Sequence, residues 1–109
     1  MTRATGIHVA VLALSIRIDG STSLKDRRQV VRSLMDRAKS RWNMSVADLG
    51  PEGATKEARL GFCTAAPTRS QALSRMESLE ELVRRMEDES RLRIVYMEQE
   101  VDCYAESPY

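Results

Sequence analysis

The chain has 109 residues, of which 42% are hydrophobic and 30% are charged, and this composition excludes an intrinsically disordered chain. Its formal net charge of +1 excludes a polycation, although residues 1–50 carry a net charge of +5 and residues 51–109 a net charge of −4. No stretch approaches the roughly 18 apolar residues that span a bilayer, and no signal-peptide cleavage site follows the first apolar run. We therefore expect one cytoplasmic domain over residues 1–109, with reduced cysteines and no membrane partner.

The first half of the chain predicts a strand, a helix and a second strand. Residues 7–18 alternate with period two and are apolar on both faces over the first half, which is typical of a central strand. Ser23 is the predicted N-cap of a helix that runs to about Trp42, with a buried stripe at helical spacing. Residues 44–49 predict a short second strand.

The second half predicts the same number of elements after the Gly50–Glu57 loop. Residues 58–66 predict a strand in which Phe62 points inward. Thr68 is the predicted N-cap of a second helix, and residues 91–104 predict a last strand in which Val95 points toward the core.

This order of elements, β-α-β-β-α-β, predicts a fold class. It is the α+β ferredoxin-like sandwich, in which right-handed crossovers give an antiparallel sheet of order 4-1-3-2. Both helices lie on one face of such a sheet, so we expect the opposite face to be open.

Three segments of the chain resemble a known family. Ser23–Leu34 begins with Ser-Leu-Lys-Asp-Arg-Arg, and Asn43–Leu49 reads Asn-Met-Ser-Val-Ala-Asp-Leu. With Ala58–Gly61, these segments closely resemble the YlxP-like family of small bacterial proteins of undefined function. The resemblance implies a ferredoxin-like fold and a genomic setting beside a ribosome-binding assembly factor, but it implies no activity. The Gly/Pro-rich Gly50–Glu57 loop departs from the family pattern.

No residue pattern in the chain predicts catalysis. His8 is the only histidine, and it lies on a predicted strand with no metal-ligand spacing to Cys63 or Cys103. Neither a phosphate-binding loop nor a dinucleotide fingerprint is present. We therefore predict neither an enzyme nor a bound metal or cofactor.

The sharpest signal for function is a basic flank on the first helix. Its members fall within an arc of about 60° on the helical wheel; they are Lys25, Arg28, Arg32 and Lys39. Together with the backbone N–H groups that follow Ser23 and the hydroxyls of Ser21 and Thr22, these cations predict a site for an anion such as phosphate. The alternative is that the basic side chains cover apolar surface and pair with the acidic second helix.

The open face of the predicted sheet is a second candidate surface. We expect it to present apolar and small side chains that suit a protein interface; the predicted interface residues are Val9, Val11, Ala13, Cys63 and Tyr96. No aromatic residue lies at the central positions that stack RNA bases in an RNA-recognition motif.

These patterns predict a non-catalytic factor that binds RNA or a ribosomal subunit through the basic flank, without reading base sequence. The alternative is a protein-interaction module that forms a homodimer through the open sheet face. A third hypothesis is an anion sensor at the Gly20–Ser23 turn.

Overall fold

A computed structural model describes residues 4–108 of the chain, with side chains described from residue 6 to residue 105. Residues 1–3 and 109, at the ends of the predicted domain, lie outside the described residues. The elements in chain order are β1 (Ala4–Arg17), α1 (Leu24–Trp42), β2 (Ser45–Asp48), β3 (Glu57–Ala66), α2 (Arg69–Asp88) and β4 (Arg93–Pro108). Every strand pair is antiparallel and the sheet order is β2-β3-β1-β4, which confirms the ferredoxin-like fold.

The core lies between the two helices and one face of the sheet, here called the inner face. Alternate residues of β1 and β3 fill it because successive strand side chains point to opposite faces. Leu12, Leu14 and Phe62 are buried almost completely, as are Leu34 of α1 and Met76 of α2. Leu82 joins this core and Leu73 stays only half-buried, so the buried stripe of α2 is rotated slightly from the predicted one.

The ends of both helices follow the capping chemistry expected from the sequence. Ser23 Oγ accepts a hydrogen bond from the Asp26 backbone N–H, and Thr68 Oγ1 accepts one from the Gln71 backbone N–H. Asn43 ends α1 in the left-handed conformation with φ +52°. Neither helix of the described chain has the length of apolar sequence that crossing a membrane requires.

The last strand differs from its prediction at one position. The pairing of β4 with β1 shifts between Ser15, which lies opposite Tyr96, and Ile16, which lies opposite Ile94. Val95 is therefore the extra residue of a β-bulge, and its side chain is exposed instead of pointing to the core. Ile94 takes the inward position and packs against the core.

The other face of the sheet, here called the outer face, has no helix over it in the described part of the chain. Its side chains follow from the register, because residues directly opposite each other point to the same face. Val11 of β1 lies between Cys63 of β3 and Glu100 of β4, and Ala13 lies between Gly61 and Glu98. The β4 carboxylates Glu98 and Glu100 thus lie beside the apolar centre of this face.

Candidate functional site

A groove of about 470 Å³ runs along the exposed side of α1, on the flank that faces the β2 edge of the sheet. Its floor is apolar and is formed by Leu24, Val31 and Met35. Cationic and acidic side chains border this floor, namely Arg28, Arg32, Lys39, Asp36 and Asp48. The groove therefore joins three of the four predicted cations to three residues of the helix stripe that the sequence predicts to be buried. Of these three, Leu24 is exposed.

The wall of the groove beside β2 is held by an ion pair between a buried arginine and a partly exposed aspartate. Arg27 of α1 donates two hydrogen bonds to Asp48, with Nη1–Oδ2 at 2.8 Å and Nη2–Oδ1 at 3.0 Å. Arg27 Nε also donates to the Glu57 carbonyl at 2.7 Å, and Nη2 donates to the Gly50 carbonyl at 3.3 Å. One side chain thus ties α1 to the end of β2, the following loop and the start of β3.

The environment of this pair explains why both groups stay charged. Arg27 is only 9% exposed, and a buried guanidinium requires a carboxylate or carbonyl partner for each donor direction. The hydrogen bonds from Arg27, reinforced by the Gly50 N–H, hold the pKa of Asp48 below its ordinary value. Gly50 has φ +93°, a conformation that favours glycine at this corner.

The turn before α1 does not form the anion site predicted from the sequence. Ser21 is 1% exposed and its hydroxyl donates to the Ser23 carbonyl, which contradicts a role for Ser21 as an anion ligand. The Asp26 carboxylate accepts hydrogen bonds from both the backbone N–H and the hydroxyl of Thr22, and these lower the pKa of Asp26. Ser23 serves as the N-cap. The Asp26 carboxylate is therefore the anion that already accepts the hydrogen bonds of this turn.

We predict that Ser23→Ala lowers the free energy of unfolding by about 1 kcal/mol, because the Asp26 N–H loses its acceptor. The same change is expected to leave the affinity for RNA unaltered, since Ser23 is a cap and not a ligand. Chemical denaturation checks the first result and an RNA titration the second. A loss of RNA affinity in the folded Ser23→Ala variant would contradict the assignment of Ser23 as a cap alone.

The basic flank is exposed along its whole length. Arg28, Arg32 and Lys39 border the groove, whereas Lys25 stands outside it in the first turn of α1. Within residues 6–105, the ion pairs are those of Arg17, Arg27 and Arg93 with carboxylates, and none involves the basic flank. One half of the alternative, the pairing of these cations with the acidic α2, is therefore absent from the described residues. The other half, that their side chains cover apolar surface, stays a prediction.

The outer face brings together all five predicted interface residues. Val9, Val11, Ala13 and Cys63 occupy neighbouring outward positions of β1 and β3, and Tyr96 lies opposite the outward Ser15. Among the described side chains, five of the seven exposed large hydrophobic residues lie on this face; they are Ile7, Val11, Leu49, Tyr96 and Tyr104. The fold thus collects most of the exposed large hydrophobic side chains of residues 6–105 on one face.

The two cysteines lie on opposite faces of the sheet and are both free thiols. Cys103 is directly opposite His8 on the inner face, with its Sγ 3.9 Å from His8 Nε2. Cys63 lies on the outer face beside Val11. In the residues that the structure describes, no three His, Cys, Asp or Glu side chains come together as metal ligands.

Comparison with known proteins supplies a family and no activity. Residues 9–97 match the model of a family described as "Protein of unknown function (DUF503)". A search of curated proteins gives no match. Four solved chains match, and one of them is the "De novo designed protein Foldit4", with a TM-score of 0.48 and 13% sequence identity over 90% of this chain and 97% of that chain. A likeness at this level says nothing about function.

Proposed function

The chain belongs to the DUF503 family of proteins of unknown function, and we propose that it is a non-catalytic protein that binds the phosphates of RNA through the basic flank of α1. The observation that carries the proposal is that Lys25, Arg28, Arg32 and Lys39 lie exposed on one flank of a helix without an ion-pair partner among the described residues. Such cations gain most from an anionic partner that releases its counterions on binding.

The dimensions of the flank suit a nucleic acid strand. Lys25 and Lys39 are 14 residues apart, which corresponds to about 21 Å along a helix. A nucleic acid strand carries one charge per about 3.4 Å of axis, so several phosphates pass along this length. The flank makes contacts to phosphates and none to base edges, so we expect little preference for base sequence.

We propose that the bound RNA is ribosomal RNA. The resemblance of Ser23–Leu34 and Asn43–Leu49 to the YlxP-like family of bacterial proteins favours ribosomal RNA, because genes of that family often neighbour one for a ribosome-binding assembly factor. A bacterial, cytoplasmic protein with reduced thiols fits this setting. The bacterial origin and the cytoplasmic location are both part of the proposal.

A titration of labelled single-stranded RNA at several salt concentrations tests the proposal. Four phosphate contacts on a single strand give a slope of about −3 for the logarithm of the association constant against the logarithm of salt concentration. Fluorescence anisotropy at salt concentrations between about 25 and 200 mM measures this slope. Absence of binding at the lowest salt, or binding that salt does not weaken, would contradict the proposal.

Asp36 offers a test in the opposite direction, because this carboxylate lies in the groove among the cations. We predict that Asp36→Asn raises the affinity for RNA about three- to eightfold at 50 mM salt, as one repulsive charge is removed from the path of the phosphates. Asp88→Asn, at the far end of α2, is the matched control and should change the affinity little. Equal effects of the two changes would mean that only net charge matters.

A homodimer is a second candidate function, favoured by the concentration of exposed apolar side chains on the outer face. Two copies joined through this face would bury Ile7, Val11 and Tyr104, which otherwise remain in water. The basic flank lies on the helix side of the sheet, so dimerisation and RNA binding use separate surfaces.

A further inference from the structure

The two halves of the outer face differ in the size of their side chains. The half formed by β1 and β4 carries large residues, among them Ile7, Val9, Val11, Tyr96 and Tyr104. The half formed by β3 and β2 carries small residues, namely Ala65, Cys63, Gly61, Ala47 and Ser45, and Leu49 closes its far border against Gly61. Packed faces prefer large side chains opposite small ones.

The two halves also differ in charge. Along the middle of the face, Glu98, Glu100 and Asp102 line the β4 half, and Arg59 is the exposed cation on the β3 half. At one end of the face, Arg17 pairs with Glu57 and Arg93 pairs with Asp19, so these charges are already compensated within the chain. Arg59 has no ion-pair partner among the described residues. A partner that covers this face must bring small side chains and a cation to the β4 half, and large side chains and carboxylates to the β3 half.

A second copy of the chain meets this description under one symmetry operation. A two-fold axis parallel to the strands, between the two sheets, places the β4 half of one copy over the β3 half of the other. A two-fold axis across the strands would instead place the Glu98 and Glu100 carboxylates of both copies against each other. The face is therefore self-complementary for the first arrangement only.

From this arrangement, and on the basis of the proposed RNA binding, we infer that the protein is a homodimer joined through the outer face and that this dimer bridges two RNA segments. The helices lie on the inner face of each sheet, so the two α1 helices form the outermost layers of the dimer. With sheets about 10 Å apart and one helix diameter on each side, the two α1 axes lie about 30 Å apart. The two basic flanks face away from each other, so one dimer joins two strands instead of clamping one.

A bridging assay with two short single-stranded RNAs tests this inference. One RNA carries biotin and the other a fluorophore, and fluorescence retained on streptavidin beads reports protein that holds both. The parent is expected to retain the fluorophore and to sediment at twice the chain mass of 12.3 kDa. Val11→Asp, at the centre of the outer face, should bind each RNA but lose at least tenfold of the retained signal and sediment as a monomer.

Two control variants distinguish the role of the outer face from that of the basic flank. Ser74→Asp places the same charge on exposed α2, on the helix side of the sheet, and should bridge like the parent. The Lys25→Ala/Arg28→Ala/Arg32→Ala triple variant should remain dimeric but retain no fluorophore. Bridging by Val11→Asp at the parental level would overturn the inference.

Failure of the two parts can be told apart. A dimeric parent that binds no RNA overturns the proposed function and the bridging together, whereas a monomeric parent that binds RNA overturns the dimer and the bridging alone.

A charge exchange tests the orientation of the two copies in the dimer. Arg59→Glu should weaken the dimer about five- to tenfold, and Glu98→Arg in the same chain should restore it. A double variant weaker than Arg59→Glu would overturn the proposed axis.

Discussion

Replacing Asp48 with alanine is expected to lower the free energy of unfolding by about 2–3 kcal/mol, which is a large share of the stability of a domain of this size. The change leaves the guanidinium of Arg27, only 9% exposed, with backbone carbonyls as its remaining acceptors. The cost stays below that of a fully buried pair because Asp48 itself is about one-third exposed to solvent. Urea denaturation of parent and variant measures it.

A double-mutant cycle isolates the contribution of the pair. Arg27→Met keeps the apolar stem and removes the charge, and the double variant Arg27→Met/Asp48→Ala supplies the fourth corner. We expect a coupling free energy of about 1.5–3 kcal/mol, the range for hydrogen bonds between charged groups. A coupling near zero would mean that the two side chains stabilise the fold independently.

The stabilisation by this pair should depend on pH in a defined direction. The pKa of Asp48 is lower in the folded chain than its unfolded value of about 3.9, so folding favours the carboxylate. Its contribution is complete above the unfolded pKa and is lost as pH falls below about 4 and through the folded value. The difference in stability between the parent and Asp48→Ala should therefore be constant near pH 7 and shrink below pH 4. A difference that grows in acid would contradict this assignment.

Replacing Lys25, Arg28 and Arg32 together with alanine is expected to weaken RNA binding about 10²- to 10³-fold at 50 mM salt. Each lost phosphate contact removes about 0.7 from the salt slope on a single strand, so the slope should fall from about −3 to about −1. All three side chains are exposed and make no ion pair within the described residues, so the variant should keep its stability. Anisotropy titrations at several salt concentrations give both quantities.

The matched control for this variant removes the same net charge elsewhere. Arg41→Ala/Arg84→Ala/Arg85→Ala changes three exposed arginines, two of them on α2 and none lining the groove. This control should keep more than one-third of the parental affinity, because distant charges are screened over about 10 Å at 0.1 M salt. Equal losses in both triple variants would show that RNA responds to total charge and not to the flank.

Sequence patterns predicted the fold closely because its signals are local. The caps Ser23 and Thr68, the end of α1 at Asn43 and the inward position of Phe62 all follow from neighbouring residues. Val95 was misplaced because a β-bulge depends on the pairing of β4 with a strand almost 80 residues earlier in the chain.

The candidate site was predicted only in part. The helical wheel located the cations of the basic flank. It did not reveal the ion pair of Arg27, because Asp48 approaches from β2 through the tertiary fold. Ser21 was predicted as an anion ligand because no pattern in the neighbouring sequence indicates that the turn after β1 buries it.

Several residues in the segments that resemble the family have structural roles. Arg27 and Asp26 belong to the Ser23–Leu34 segment and Asp48 belongs to the Asn43–Leu49 segment. Asp26 closes the turn before α1, and Arg27 joins Asp48 across the groove wall. Asp26, Arg27 and Asp48 therefore stabilise the fold, and the proposed function depends on the exposed cations beside these residues.

Co-sedimentation with ribosomal subunits on a sucrose gradient tests the central claim most directly. The parent and the control triple variant are expected to migrate with one subunit at low salt and to be released at moderate salt. The Lys25→Ala/Arg28→Ala/Arg32→Ala variant should stay at the top of the gradient under both conditions. Migration of that variant with a subunit, or retention of the parent at the top at low salt, would contradict RNA binding through the basic flank.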